Sequence, residues 1–295
     1  MSFVDSIHIE KFITSLNTSS PPKDEFLKLS NIFSINPLLD YSVNFERGIL
    51  LYALVSKFKP KNILEIGTAE GFSTLCMAWA MSDSNIDGKI YTIDPKPFDL
   101  RTERIISWEE NPTQKTTLLS TKELWNKCAR KEWIEKIDVL TGFSGEIMKE
   151  KSSKLPKMDM GYIDGHHVYE AVLHDFYAFI KVASKNFNLL FDDYVPNTVG
   201  GGVAKVVDEE VIPNFDVTQI QTNSKQQRKE KNETESDLHM CWLHSDSLKK
   251  SLQDTFPTSK TNQIINDYNK WEKRWKLRKS LNKKIPFLGK FRFNR

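Results

Sequence analysis

One stretch, residues 62–74, constrains the fold of this chain more than any other. Its sequence, NILEIGTAEGFST, runs from a short apolar segment into Gly67 and then into residues whose apolar positions recur at helical spacing up to Met81. A second apolar run, Ile90–Ile93, follows and ends on Asp94. The pattern predicts a strand, a glycine turn, a helix and a second strand with a carboxylate at its tip.

This unit suits a ligand that carries a nucleoside. Gly67 and Gly71 allow a sharp turn and a close approach to a ligand, the helix N-terminus offers free N–H groups, and Asp94 can accept both hydroxyls of a ribose. The spacing G-x-x-x-G differs from the G-x-G-x-x-G of NAD sites, and no P-loop Gly-Lys-Ser/Thr is present. Glu65 and Glu70 disfavour phosphate and favour an ammonium or sulfonium group. An ordinary strand-to-helix turn is the alternative interpretation.

The segment Leu64–Gly71, LEIGTAEG, resembles the first motif of the class I S-adenosylmethionine-dependent methyltransferases. The resemblance implies a Rossmann-like α/β sheet with helices on both faces and S-adenosylmethionine as the methyl donor. It also implies cofactor contacts at Glu65, Gly67, Thr68, Gly71, Ser73, Asp94, Ser144 and Asp164. For Ser144, which follows a predicted third strand, a helix N-cap is the alternative interpretation.

Length and composition predict a single domain with extensions. The chain has 295 residues, of which 39% are hydrophobic, enough to bury one substantial core. We predict a helical N-terminal extension over residues 1–60, a cofactor-binding domain over 61–245, and a basic helical C-terminal extension over 246–295. In the resembled family such an N-terminal extension covers the cofactor; helices that merely cap the sheet edge are the alternative.

The sequence predicts a cytoplasmic protein. No apolar run reaches the ~18 residues of a membrane span, and the first residues are acidic where a secretory signal would be basic and then apolar. Cys76, Cys128 and Cys241 stand far apart without C-x-x-C spacing, so neither a disulfide framework nor a zinc site is indicated.

Strands alternate with helices through the middle of the chain. After Asp94 we expect a polar loop and then a helix opened by the capping box Ser120–Glu123. Further strands are predicted at 137–141, 158–163 and 187–191, with Asp175 on the solvent side of the helix after the second of them. Two last strand-like runs, 215–220 and 238–243, flank a polar segment, 221–236, that we expect to be a mobile loop. The order predicts a mostly parallel sheet with an antiparallel edge hairpin.

Three carboxylates stand at predicted strand tips. Asp164 follows one strand, and Asp192 and Asp193 follow the next. Ligands bind outside these ends of an open α/β sheet, so the three acids should converge near Gly67 and Asp94. Clustered carboxylates repel one another unless a cation lies among them, and Mg²⁺ or another hard divalent cation prefers such oxygen ligands. A solvated turn or a helix cap is the alternative for the Asp-Asp pair alone.

Two blocks, YIDGHHVYE at 162–170 and LFDDY at 190–194, are similar to the metal-dependent O-methyltransferases, most of all to the macrocin O-methyltransferase type that methylates sugar hydroxyls. The resemblance implies metal ligands at Asp164, Asp192 and Asp193, and a general base at His167, where catechol-type relatives have Lys. His166 is the alternative base. A metal-bound hydroxyl has a lowered pKa, so a neutral imidazole could take its proton near pH 7.

The C-terminal segment is strongly basic. Residues 270–295 contain eleven Lys and Arg and one acid, Glu272, with aromatic and aliphatic residues interspersed. The segment could contact an anionic membrane surface or nucleic acid, or it could be a helix packed on its own domain or on a partner in a homo-oligomer.

We expect a small hydroxylated acceptor, a sugar or glycoside, as the substrate. An RNA methyltransferase and a non-catalytic cofactor-binding scaffold are the alternative functions; no RNA-binding motif accompanies the segment.

Overall fold

The computed structural model describes residues 4–33, 44–108, 111–195, 201–226 and 236–284. In those ranges the strands are β1 (Val4–His8), β2 (Asn62–Ile66), β3 (Lys89–Asp94), β4 (Thr102–Trp108), β5 (Asn111–Leu119), β6 (Ile137–Thr141), β7 (Met158–Ile163), β8 (Ala183–Phe191), β9 (Val217–Gln226) and β10 (Ser236–His244). The helices are α1 (Ile9–Leu16), α2 (Lys23–Phe33), α3 (Phe45–Phe58), α4 (Phe72–Asp83), α5 (Thr121–Cys128), α6 (Lys131–Ile134), α7 (Ser144–Lys151), α8 (Tyr169–Val182), α9 (Gly202–Val206), α10 (Leu252–Thr255) and α11 (Thr258–Lys284), and a π-helical turn, Val207–Val211, continues α9.

Within the described ranges, eight strands form one sheet in the order β1-β9-β10-β8-β7-β2-β3-β6. β2 runs parallel to β3 and β7, and β7 runs parallel to β8, whereas β10 runs antiparallel to β8 and β9. This arrangement confirms the predicted mostly parallel α/β sheet with an antiparallel hairpin. Because parallel strands point the same way, the tips of β2, β3 and β7 meet at one edge of the sheet.

Both faces of the central strands are buried. On β2, Ile63 packs into one core cluster with α3 and α4, and the next apolar residue, Leu64, packs into a second cluster with α8. Successive side chains of a strand point to opposite faces, so a strand covered on both sides needs a continuous apolar run. This is why the run in β2 is unbroken except at Glu65.

The predicted all-helical N-terminal extension is wrong at its start. Residues Val4–His8 form the edge strand β1, which pairs in parallel with β9 so that Ile7 faces Ile220. The helix begins only at Ile9, with His8 as its N-cap. Pairing with the distant strand β9 determines the structure of these residues, which the sequence pattern alone assigned to a helix. Three helices of the extension, α1, α2 and α3, are confirmed, and its residues 1–3 and 34–43 lie outside the described part.

Two polar segments form strands where we predicted loops. The stretch after Asp94 contains the antiparallel pair β4 and β5, and β9 extends to Gln226 within the segment predicted as a mobile loop. Residues 227–235 of that segment lie outside the described part. Strand pairing depends on hydrogen bonds with a partner strand, which the hydrophobic pattern of one segment does not reveal.

The first part of the basic segment belongs to a long helix. α11 packs against α8 and α7, and it is described as far as Lys284; residues 285–295 lie outside the described part. This packing agrees with the alternative in which the segment, over residues 258–284, is a helix that packs on its own domain. Contacts of the segment with a membrane surface or with a second copy of the chain stay proposals. Among the described residues, none of the helices combines the length and the apolar character that crossing a bilayer requires.

Candidate functional site

The predicted glycine turn lies at the tip of β2. Gly67 has φ +105°, and a Cβ atom there would come within 2.1 Å of the Asp164 carbonyl oxygen, so glycine lets the tips of β2 and β7 approach each other. Gly71 has φ +94°, and a Cβ atom there would meet the Trp125 ring at 2.2 Å. The glycines are therefore required by the close contacts of the turn with two other elements.

Asp94 braces this turn from the tip of β3. Its Oδ2 accepts a hydrogen bond from the Ala69 N–H at 2.8 Å, and its Oδ1 accepts one from the Lys96 N–H at 2.7 Å. Ala69 itself has a left-handed backbone, φ 46°. Each carboxylate oxygen keeps a lone pair, and Asp94 lines a cavity, so the acid stands where the sequence predicted it. Its contact with a ribose stays a prediction.

A cavity of about 270 Å³ opens beside the turn. Its walls come from the tips of β2, β3 and β7, from the segment after β6, from α8 and from α11. Of the predicted cofactor residues, the cavity is lined by Gly67, Asp94, Ser144 and Asp164. The other four, Glu65, Thr68, Gly71 and Ser73, are not among its lining residues.

Glu65 and Ser73 interact with each other below the cavity. The Glu65 side chain is fully buried and accepts hydrogen bonds from the hydroxyls of Ser73, Thr74 and Thr92 at 2.5, 2.5 and 2.6 Å. Burial raises the pKa of Glu65 to about 7, although these hydroxyls oppose the shift. Thr68 is also buried, with its Oγ1 2.5 Å from the Thr92 Oγ1. This network holds the Glu65 and Ser73 side chains outside the cavity lining, and their contacts with a cofactor stay predictions.

Glu70 is not available to a cationic ligand either. It forms ion pairs with Lys96 and with the buried Arg104 of β4, and it accepts a hydrogen bond from Thr121 at 3.1 Å. Burial opposes ionisation, but the two cations outweigh it and lower the pKa of Glu70. The expectation that Glu70 favours a sulfonium is therefore not met. The Glu70 carboxylate instead links the glycine turn to the β4–β5 hairpin through its ion pair with Arg104.

Ser144 reaches the cavity but does not cap α7. It is the first residue of that helix, and the N-cap position belongs to Phe143. The Ser144 hydroxyl donates to Asp175 Oδ1 at 2.7 Å. Asp175 is only 2% exposed, so its predicted place on the solvent side of α8 is wrong, because α11 covers that face. The contact of Ser144 with an adenine stays a prediction.

The second part of the site is a cluster of acids around His167. His167 Nδ1 lies 3.3 Å from Asp193 Oδ2, and His167 Nε2 lies 3.7 Å from Asp164 Oδ1. One potential ligand atom from each of the three residues lies within 4.8 Å of the others. Asp193 has a left-handed backbone, φ 52°, which aims its side chain at the cluster. His166, the alternative base, lines the cavity instead.

Asp192 is engaged differently from the other two acids. It is 3% exposed, and its Oδ2 accepts hydrogen bonds from Arg47 Nη2 at 2.5 Å and from the Tyr162 hydroxyl at 2.7 Å. Arg47 Nη1 also lies 3.4 Å from Asp164 Oδ2. Sequence reasoning missed Arg47. The only signal was the charged pair Glu46-Arg47 near the start of an otherwise largely apolar helix, α3.

The charges of this cluster leave room for a dication. Three carboxylates face one guanidinium, that of Arg47. Burial raises the pKa of Asp192 to about 7 even though Arg47 opposes the shift, and the charges of Asp164 and Asp193 raise it further. The hydrogen bond with Asp164 raises the pKa of His167 against the effect of burial. Oxygen-rich ligands with excess negative charge suit a hard divalent cation, so the residues present fit the metal that the resemblance implies.

Comparison with known proteins finds similarity to methyltransferases in the central segment and in the fold. Residues 64–194 match the family model described as "Methyltransferase domain". An O-methyltransferase from Bacillus cereus, solved with S-adenosylhomocysteine, is similar in structure with 17% identity and a TM-score of 0.51, over 80% of this chain and 96% of that one. The O-methyltransferase TomG from Streptomyces achromogenes, solved with S-adenosylmethionine, has 18% identity and a TM-score of 0.50, over 80% and 95%. At this identity the likeness shows the fold. No curated protein sequence matches the chain.

Proposed function

We propose that this chain, whose residues 64–194 match a methyltransferase-domain model, is an S-adenosylmethionine-dependent O-methyltransferase that uses a divalent cation to methylate a small hydroxylated molecule. One observation carries the proposal: Asp164 belongs both to the cavity beside the glycine turn and to the His167 cluster. A donor in the cavity and an acceptor at the cluster would therefore meet at Asp164.

Each bound group supplies one kind of chemistry. S-adenosylmethionine supplies a methyl group on a positively charged sulfur. A divalent cation at the cluster lowers the pKa of an acceptor hydroxyl. Asp164 and Asp193 are the residues that would hold this cation.

The residues of the cluster then have separate roles. His167 takes the proton of the acceptor hydroxyl, because its imidazole is about half exposed and lies between the two acids. Asp192, which the resemblance implies as a third ligand, is a positioning residue in this proposal. Its Oδ1 accepts the Asp193 N–H at 2.9 Å, and its Oδ2 is fixed by Arg47.

The acceptor is proposed to be a sugar or glycoside. An aliphatic hydroxyl is nearly inert while protonated, so it needs both the cation and a base. A vicinal diol would place one oxygen for attack and use the other as an anchor. The His at position 167 agrees with the sugar-type relatives that the two acidic blocks resemble.

Methyl transfer with and without metal tests the proposal. The protein is incubated with S-adenosylmethionine and a panel of glycosides, nucleosides and catechols, and S-adenosylhomocysteine is measured by mass spectrometry. We expect turnover on a glycoside that disappears in EDTA and returns with Mg²⁺. Turnover that is indifferent to both would refute the cation, and turnover on catechols alone would refute the sugar acceptor.

A further inference from the structure

One wall of the cavity is a row of aromatic rings on α11. Tyr268, Trp271 and Trp275 follow one another at spacings of three and four residues, so they share one helix face. The ring centroids of Tyr268 and Trp271 are 5.4 Å apart, those of Trp271 and Trp275 are 6.3 Å apart, and both pairs are nearly parallel. All three residues line the cavity.

The same helix places a buried carboxylate in this wall. Glu272 is 2% exposed and lines the cavity, and its Oε1 has no hydrogen-bond partner within the described part of the chain. Its Oε2 lies 3.5 Å from Lys276 Nζ. A buried oxygen without a partner lowers stability unless a donor reaches it. The cavity therefore favours a ligand that is flat and apolar over most of its surface and carries an N–H group at its edge.

The connectivity of the methyl donor says which part of it would meet this wall. This step rests on the proposed function. The reactive sulfur must approach Asp164 and the cluster, and the ribose next to it would lie at Asp94. The base, on the far side of the ribose, is then directed to the part of the lining that includes Phe143, Ser144 and the aromatic residues of α11.

We infer that α11 forms the base-binding wall of the donor site, with Trp271 and Trp275 packed against the adenine ring and Glu272 accepting a hydrogen bond from its exocyclic amine. The C-terminal extension is then part of the cofactor site and confers selectivity for a 6-amino purine. Hypoxanthine carries a carbonyl oxygen at that position, which a carboxylate oxygen would repel.

Calorimetric titration with two nucleosides tests this inference. Wild-type protein should bind S-adenosylhomocysteine about tenfold or more tightly than its deaminated analogue, S-inosylhomocysteine. Glu272→Gln can accept from the amine or donate to the carbonyl, so this preference should fall to about twofold or less. Glu146→Gln is the matched control, because Glu146 also pairs with Lys276 but is exposed and does not line the cavity.

A second variant covers the case in which Glu272→Gln does not fold. Trp275→Leu should weaken binding of both nucleosides by about fivefold or more through lost stacking, without changing their ratio. An unchanged nucleoside preference in Glu272→Gln, an equal loss of preference in Glu146→Gln, or full affinity in Trp275→Leu would overturn the inference while leaving the proposed function intact. Wild-type protein that binds neither nucleoside would overturn the proposed function itself.

Discussion

Replacing Glu65 by Gln should change how the stability of the protein depends on pH. The Glu65 carboxyl is buried, and its pKa is about 7 against an ordinary value of 4.5. Between these two values the native state keeps a proton that the unfolded chain has lost. The free energy of unfolding of the wild-type protein therefore falls as the pH rises through this range.

The size of the effect follows from the two pKa values. A difference of about 2.5 pKa units corresponds to about 3 kcal/mol at 1.36 kcal/mol per unit, fully developed above about pH 7. Gln carries no charge at any pH. Its amide oxygen can accept from the Thr74 and Thr92 hydroxyls, and its NH2 group can donate to the Ser73 hydroxyl oxygen. The difference between the free energies of unfolding of Glu65→Gln and of the wild type should therefore increase by about 2 to 3 kcal/mol, in favour of the variant, between pH 5 and pH 8.

Urea denaturation followed by tryptophan fluorescence measures this difference at each pH. Glu70→Gln is a control of opposite sign, because the pKa of Glu70 is lowered by Lys96 and Arg104 against the effect of burial. Its stabilisation is present above the unfolded pKa and is lost as the pH falls through the lowered folded pKa. Glu70→Gln should therefore be destabilised at pH 8 and should approach the wild type only below that lowered pKa. Parallel pH profiles for wild type and Glu65→Gln would refute the reasoning.

Three further substitutions test other parts of the structure. His167→Gln should lower kcat by about 10² to 10⁴. His166→Gln changes a residue of the cavity wall and should mainly raise KM. Steady-state kinetics separates the two effects, and equal losses of kcat in both variants would contradict the assignment of the base. Gly67→Ala should cost about 3 kcal/mol or more of stability, because both its φ and the nearby carbonyl oppose a Cβ atom. At Gly165 a Cβ atom would meet nothing closer than Asp175 Oδ2 at 3.2 Å and Ile66 Cγ2 at 3.3 Å, so Gly165→Ala should cost less. Thermal melts that rank the two variants the other way would disprove this. Arg47→Met leaves the buried carboxylates without the guanidinium that pairs with them and should cost about 3 to 5 kcal/mol of stability in metal-free buffer. Mg²⁺ should restore part of this stability. Calorimetric melts with no dependence on Mg²⁺ would count against a cation at the cluster.

The parts of the fold that follow from local sequence were predictable. The unit from β2 through α4 to β3 has its glycine turn and its terminal acid within about thirty consecutive residues, and each feature has a local physical cause. The tips of parallel strands meet at one edge, so Asp164 and Asp193 could also be brought together from strand order alone.

The parts that depend on distant partners were not predictable. β1 is a strand only because β9 lies beside it, and Asp175 is buried only because α11 covers α8. Arg47 lies 117 positions before Asp164 in the chain, and nothing near it in the sequence marks it as a partner of the acids. A pattern of single residues carries no information about which surfaces later pack together.

The pairing of β1 with β9 sets the order in which the molecule can be completed during synthesis. His8 reaches Asn223, a residue 215 positions later, so the first strand waits for nearly the whole chain to leave the ribosome. At ~5–20 residues per second this wait lasts on the order of 10 to 40 s. During that interval the apolar face of α1, with Ile9, Phe12 and Leu16, can pack against α3 but lacks its contacts with β9.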